Sequence, residues 1–508
     1  MNAAHAIGLD APHAEREPGP ISHSAAVASV AVLLGAPLAY ACTRPLPLHA
    51  LGVALHAVLA LWIVALFLER RRPRIDRALL IVVGAVVVYF WIRGVFAIFN
   101  GDAIDSFTRS HWARIASRWP ESIILRTPAA ITLLCSGLAC SFLVVSDLSR
   151  NAKLRRTFQG AMIGGGVLVV VLGLVQNATR ARGVYWQPPH LHMPSPFFGS
   201  FYHFTSAGAF LNLTWPPALC LSLYWASQYK RIAGAGTRGV AFGLCALLIL
   251  VGHTAHVSRL PQVLAAVTLL VVLAVIRPIR FASFSPRRIL AVAVAICVLV
   301  PAVGWTLKRS GRLQQIQARW KMLDLSASNR PPAPMPAKAD WPRLVRDDLA
   351  IPYPHSEYRL KDRGAAYAFA LRCIALRPLF GFGPGGWITA VSQHGTDPTI
   401  GTFYLYLQFT HEDYLQTAIE WGLVGAGLIL AVGVLSIIPL CRVLPSKVFR
   451  SGRWSENSVA CFGALAALIA VLLQALIDFP LQIPANALYA TTLLALLSSY
   501  RPLESRSF

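Results

Sequence analysis

The sequence predicts an all-α, polytopic membrane protein with about 12 transmembrane helices and one large periplasmic loop containing short helices, and three observations carry that prediction. First, 56% of the 508 residues are hydrophobic and only 13% are charged, about half the charged fraction of a soluble chain. Second, the apolar residues gather into runs close to the ~20 that a helix needs to cross a bilayer core. Third, the 46 Lys and Arg outnumber the 22 Asp and Glu, for a formal charge of +24, yet they fall between the runs rather than in one basic patch. The basic excess therefore reads as topology, and nucleic-acid binding is not needed to explain it. The nine cysteines are scattered singly with no CxxC pair, which supports neither a zinc site nor a disulfide framework.

In chain order the runs fall near 22–42, 47–68, 78–99, 128–147, 157–178, 203–227, 239–256, 262–277, 289–306, 414–440, 457–477 and 485–500. Each spanning segment must satisfy its own backbone hydrogen bonds, and these are too long and too evenly apolar for barrel strands, so all are expected to be helices. Ala39-Tyr40-Ala41 is similar to a signal-peptidase site, but one Arg against three acids precedes it, and the first run reads as a retained membrane helix. An even number of spans puts both termini on one side. The segments on that side hold 23 of the Lys and Arg, against eight in the short segments opposite, which places the termini in the cytoplasm. The expected organisation is a cytoplasmic tail over 1–21, helices 1–9 over 22–306, a large periplasmic loop over 307–413, the one extramembrane piece large enough for a site of its own, helices 10–12 over 414–500, and a second tail over 501–508. Cys373, within the long loop, is expected to be reachable by an impermeant thiol reagent from outside.

The long loop has internal pattern. Leu313, Ile316, Trp320 and Leu323 recur at helical spacing, Ser328 to Pro354 contains seven prolines and reads as extended, and from Asp362 the helical pattern returns through Tyr367, Leu371 and Ile374 until Arg377-Pro378 stops it. A second outside segment, 100–127, alternates Ile104, Phe107, Trp112, Ile115 and Trp119 with Arg109, Arg114 and Arg118, as a helix lying along the membrane surface does. Gly381-Phe382-Gly383-Pro384-Gly385-Gly386 satisfies the letter of a dinucleotide fingerprint, but no strand precedes it and Pro384 removes a backbone donor. A tight glycine turn that shapes a cleft at the membrane face fits better.

Arg377-Pro378-Leu379-Phe380-Gly381-Phe382-Gly383-Pro384-Gly385, His411-Glu412-Asp413-Tyr414-Leu415-Gln416 and Glu420-Trp421-Gly422-Leu423-Val424-Gly425, in that order and spacing, resemble the signature of the bacterial O-antigen ligase/polymerase superfamily. Gly199-Ser200-Phe201 is similar to that family's Gly-Thr-Phe block, without the arginine that often precedes it, and Ser258-Arg259 to its Ser-Arg at a helix-helix turn. The resemblance implies a metal-independent, inverting glycosyltransferase of the inner membrane that works without a cofactor on the periplasmic face. It would take a glycan from undecaprenyl pyrophosphate to lipid A-core, as a ligase, or to a second lipid-linked glycan or a protein in the polymerase and protein-glycosylating branches. A multi-helix transporter is the alternative from another class, but helix centres here are nearly free of charge, where a carrier places ionisable residues.

Such a transfer needs a base for the acceptor hydroxyl and cations for the leaving diphosphate. Histidine titrates near neutral pH and arginine offers a planar fork to phosphate oxygens. His411 is the candidate base, its bland alternative being an interfacial histidine that caps a helix. Arg259, which either snorkels or binds an anion, is the chief pyrophosphate candidate, followed by Arg363, Arg180 and Arg182, each with a solvated-charge alternative. Glu412 and Asp413 are expected to orient the ring or hold the sugar, with Tyr414, Gly383, Gly385 and His203 lining the cleft. Arg93, inside the third helix, either snorkels or meets a lipid phosphate. The pairs His190/His192 and His253/His256 lack the three or four ligands a zinc site needs, and no metal is expected. Asp478, beside Pro480, reads as a turn residue.

Overall fold

The computed structural model describes residues 17–99, 127–187, 197–276, 358–394, 409–443 and 454–500, with isolated positions between 294 and 317. These residues are carried by α1 (Pro20–Leu38), α2 (Pro45–Leu68), α3 (Arg77–Phe99), α4 (Pro128–Leu148), α5 (Ala152–Ala178), α6 (Phe204–Ser227), α7 (Ala235–Ala255) and α8 (Arg259–Val275). After these come α9 (Tyr358–Leu376), α10 (Gly386–His394), α11 (Asp413–Val443), α12 (Glu456–Ala475) and α13 (Pro484–Ser498). Among the described residues there is no strand, only a bridge between Phe198 and Phe201.

Local chemistry sets the starts. Proline occupies the first turn of α1, α2, α4 and α13, where its missing N–H costs nothing. Thr127, Asn151 and Ser455 cap α4, α5 and α12 by accepting backbone N–H groups. Among the described residues eight helices, α1 to α5, α7, α11 and α12, are long and apolar enough to cross a membrane, and the protein is an all-α, multi-pass membrane protein. Of the other expected spans, α8 and α13 are helices of 17 and 15 residues, shorter than a full crossing. The sixth, α6, carries Asn212, Thr214, Pro216 and Pro217 and is buried along most of its length. It is the central helix, packed against α5, α7, α8, α12 and α13, and a helix surrounded by protein does not need the hydropathy of one that faces lipid. Most of the ninth expected span and of the Leu313–Leu323 stretch, residues 100–126 of the surface segment, Ser328–Pro354, His190/His192, residues 1–16 of the first tail and the whole second tail lie outside the described residues.

Two apolar clusters matter for the site. The large one runs through Phe142, Phe158, Phe198, Phe201, Phe210, Trp215 and Tyr489 and holds the bundle together. A small one, formed by Phe369, Cys373, Trp387, Val391 and Ile419, seats α9 and α10 on the start of α11. Here the expectation for Cys373 is corrected: it is 1% exposed, and burial pushes its thiol up to about 12, so it is shielded from reagent on either side.

The helix ends sort into two groups. At the end where α1 starts, the tail end, lie Glu69, Arg71, Arg74, Asp147, Arg150, Arg156 and Glu456. At the opposite loop end, Arg44 bonds Tyr202 and Gln187, and His203 and His411 both meet Phe479. That alternation is the one the charge count predicts.

Candidate active site

The glycine turn and the Glu420–Gly425 stretch lie some 40 residues apart in sequence and interlock. Helix α11 breaks at Gly422, whose backbone adopts φ 65° and ψ −179°, a conformation essentially confined to glycine. In an unbroken helix the N–H groups of Leu423 and Val424 would bond Ile419 and Glu420. Instead they donate to the carbonyls of Pro378 (2.8 Å) and Leu379 (3.2 Å), while the freed carbonyls of Ile419 and Glu420 accept from Phe382 (2.7 Å) and Gly383 (2.9 Å). A Cβ on Gly381 would stand 2.4 Å from the Ile419 oxygen, and one on Gly422 2.3 Å from the Leu379 oxygen, so both contacts require glycine. Helix α3 fastens the joint: Arg93 Nη2 donates to the Gly381 carbonyl at 3.1 Å and Tyr89 Oη to that of Trp421 at 2.5 Å. Gly383 and Gly385, expected as cleft lining, are buried in this turn with φ of 95° and 70°; they shape it rather than line an open surface. Arg93 here reaches protein backbone.

The interlock leads directly to His411. Gln416 Nε2 donates to Glu420 Oε1 at 2.9 Å, and Gln416 Oε1 accepts from the Thr410 N–H at 3.1 Å. Thr410 Oγ1 donates to the Glu412 carbonyl at 2.5 Å, and Tyr367 Oη from α9 donates to the His411 carbonyl at 3.0 Å. These bonds hold His411 in the left-handed region, φ 58°, which costs a non-glycine residue about 1–3 kcal/mol. The imidazole is half-buried and stands edge-on to Phe479, ring centroids 4.9 Å apart. Phe479 stacks on Phe409 at 4.3 Å and also meets His203 at 5.2 Å, whose Nδ1 is 2.5 Å from Thr205 Oγ1. His411 and His203, 208 positions apart in sequence, thus share one phenyl ring.

The neighbours expected to orient His411 do other work. The Glu412 carboxylate accepts the Leu415 N–H and caps α11; burial pushes its pKa up, against the pull of the Leu415 and Tyr414 N–H groups. Asp413 Oδ2 accepts the Leu481 N–H at 2.8 Å and ties α11 to the α12–α13 turn. Tyr414 is exposed and donates to the Leu472 carbonyl at 2.9 Å. Of the cations, Arg259 is the half-buried first residue of α8, while Arg180 and Arg182 are exposed just beyond α5. The side chain of Arg363 lies outside the described residues.

Several site residues were missed in the sequence. Phe479 is marked in the sequence only by Asp478 beside it at the turn; Gln416 belongs to the His411–Gln416 block but has no role assigned by it, and Tyr367 carries no signal separable from ordinary helix polarity. Arg44 is another. The Gly199-Ser200-Phe201 block is a tight turn with Gly199 at φ 58°, pinned by Ser200 Oγ donating to the Pro37 carbonyl at 2.5 Å. It lacks a preceding arginine, but Arg44 arrives from the α1–α2 connection, bonding Tyr202 Oη at 2.6 Å and lying 3.7 Å over the Tyr40 ring. For the metal question, His253 Nδ1 and His256 Nε2 face each other at 2.9 Å, a hydrogen bond rather than a chelate. No group of three or more His, Cys, Asp or Glu side chains arranged to hold a metal occurs among the described residues.

Comparison with known proteins adds one match. No curated protein matches the chain in sequence. Residues 244–430 match a family model described as O-antigen ligase; the matched stretch contains Arg259, the helix bearing Arg363, both sides of the interlock and His411–Tyr414, and leaves His203, Arg180 and Arg182 outside. A multi-pass helical bundle whose glycine turn, broken helix and His411 loop all fall within that stretch is therefore similar, over residues 244–430, to the O-antigen ligase family.

Proposed function

We propose that the protein moves a glycan from undecaprenyl pyrophosphate to an acceptor hydroxyl, on lipid A-core in the ligase reaction, at the periplasmic face of the bacterial inner membrane. The observation that carries this reading is His411: a titratable, half-buried side chain held in a strained backbone conformation by four hydrogen bonds. Strain maintained by a dedicated network marks a position kept for chemistry rather than for packing. Neutral imidazole takes the acceptor proton as its oxygen bonds the anomeric carbon, and the bond from that carbon to the diphosphate breaks. Attack opposite the leaving group inverts the anomeric configuration. Arg259 balances the charge released on the diphosphate, helped by the N-termini of α6, α8 and α11 at the same end of the bundle. No metal or cofactor enters this scheme, and Arg180, Arg182 and Arg363 are secondary contacts. His203, across Phe479, lines the cleft.

The transporter alternative gains nothing from the broken helix α11. Carriers use such breaks to offer unpaired backbone groups to an ion, whereas here the groups freed at Gly422 are bonded to the glycine turn.

The test is glycan transfer by full-length protein in nanodiscs, with lipid A-core, a second lipid-linked glycan and a protein offered as acceptors. His411→Ala should lower turnover by about two to four orders of magnitude while leaving donor binding in place, and chelator should have no effect. Near-parental turnover by His411→Ala would return the residue to a helix-capping role.

A further inference from the structure

Between α7 and α8 only three residues, His256, Val257 and Ser258, turn the chain before Arg259. The turn is held from inside the bundle. Gln262 Nε2 donates to the carbonyls of His253 (2.8 Å) and His256 (2.9 Å), which the end of α7 would otherwise leave without an N–H. Asn212 Nδ2 of α6 holds the Pro261 carbonyl at 3.0 Å. A Cβ on Gly208 of α6 would stand 2.5 Å from Pro261 Cβ and 3.0 Å from His256 Cε1, so the turn sits tight against the central helix.

Within it the two histidines form an ordered chain. The Ser258 N–H donates to His256 Nδ1 at 3.2 Å, so that nitrogen carries no proton. The proton of a neutral His256 ring therefore lies on Nε2, which donates to His253 Nδ1 at 2.9 Å. His253 in turn carries its proton on Nε2, following the rule that hydrogen-bond partners assign the tautomer. His253, His256 and Ser258 are 4%, 0% and 4% exposed. Burying two imidazoles in an apolar bundle is costly unless their hydrogen bonds achieve something a leucine would not. What they achieve here is a fixed N–H direction at Ser258, the cap of α8 and the residue before Arg259.

We propose that His256, oriented by His253, is a positioning residue for Arg259: it sets the start of α8 so that the guanidinium is presented to the diphosphate. This rests on the assignment of Arg259 as a diphosphate contact. Asparagine can place an acceptor near the position of imidazole Nδ1, whereas glutamine mimics Nε2 and leaves the Ser258 N–H without a partner.

The experiment measures equilibrium binding of undecaprenyl pyrophosphate, without glycan, to full-length protein in nanodiscs, with Tm recorded for each variant. Arg259→Ala should weaken binding at least tenfold. His256→Asn should bind within about twofold of the parent and His256→Gln about fivefold to tenfold more weakly. The double variant His256→Gln/Arg259→Ala should bind no more weakly than Arg259→Ala alone, because the first change acts through the second residue. Should His256→Gln fail to insert, Gln262→Leu serves in the same cycle with the same expectation. Equal binding by the Asn and Gln variants, or losses that simply multiply in the double variant, would overturn the positioning role while leaving Arg259 in place. Parental binding by Arg259→Ala would instead overturn the Arg259 assignment, and the positioning role with it.

Discussion

The two ends of the helical bundle handle polar groups in opposite ways. At the tail end, charges close on one another. Asp147, fully buried, forms an ion pair with Arg71 Nη1 and accepts Trp62 Nε1 and the Arg74 N–H, each at 2.7 Å, and Glu69 takes the N–H groups of Gly19 (3.0 Å) and Ser22 (2.8 Å) at the start of α1. Arg156 and Glu456 pair at 2.6 Å on the rim. At the loop end the polar groups act on backbone and the backbone is bent: seven of the eight described non-glycine residues with positive φ, from Tyr40 to His411, lie there, and only Arg70 lies at the tail end. A closed ion network makes one arrangement much better than any other and suits an anchor. Bent backbone with cations on separate elements suits a surface that must meet a charged, changing ligand.

This contrast can be broken at its strongest point first. Gly422→Ala puts a side chain into a conformation reserved for glycine and 2.3 Å from the Leu379 oxygen, which costs about 1–3 kcal/mol in backbone strain alone and separates the glycine turn from α11. The expected outcome is loss of nearly all transfer, with protection of 378–394 against hydrogen exchange lost while the tail end stays protected. Asp147→Ala should do the reverse. Removing one partner of a buried ion pair typically costs about 3–5 kcal/mol, so yield and Tm should fall, but specific activity per folded molecule should stay within about twofold; a selective loss of turnover would show that the tail end is more than an anchor.

A smaller change sharpens the loop-end side. Gln416→Leu leaves the Thr410 N–H and Glu420 Oε1 without their shared partner, and loss of a buried hydrogen-bond partner costs about 1–3 kcal/mol. Turnover should drop by about one to two orders of magnitude with donor binding little changed, because the residue holds the His411 turn rather than the lipid. The smallest effect expected is at Glu69. Burial pushes its carboxyl up, but the Ser22 side chain, the Ser22 and Gly19 N–H groups and Arg71 outweigh this and leave it below its ordinary 4.5. A carboxylate with a lowered folded-state pKa contributes stability that is full above its unfolded value and lost as pH falls through the lower one. Tm should therefore decline more steeply below about pH 4.5 in the parent than in Glu69→Gln; identical slopes would remove Glu69 from the anchor.

Much of the architecture was legible in one dimension. Eleven of the twelve apolar runs coincide with described helices, because a segment in a bilayer must pair its backbone within itself and only a helix can do so. The same local logic placed the stop at Arg377-Pro378, the glycine turn and the break before α11. It failed where a residue's partner is remote in sequence. Cys373 counted as loop by position and is core by packing. Glu412 and Asp413 are expected from adjacency to orient His411 or hold the sugar; the structure shows the first capping its own helix and the second holding the Leu481 N–H.

What the sequence determined by itself was therefore the set of helices, the alternation of their ends and the position of the glycine turn, all of which follow from hydropathy, charge count and the backbone demands of glycine and proline over a few residues. Tertiary structure alone decided that the backbone of Pro378–Gly383 exchanges hydrogen bonds with that of Ile419–Val424, that Arg44 reaches Tyr202 beside the Gly199-Ser200-Phe201 turn, and that His203 and His411 meet at Phe479. Each of these depends on segments remote in sequence arriving at the same depth of the bundle. That depth is set by how side chains fill the space between helices, a property of the whole core that no local stretch of residues encodes.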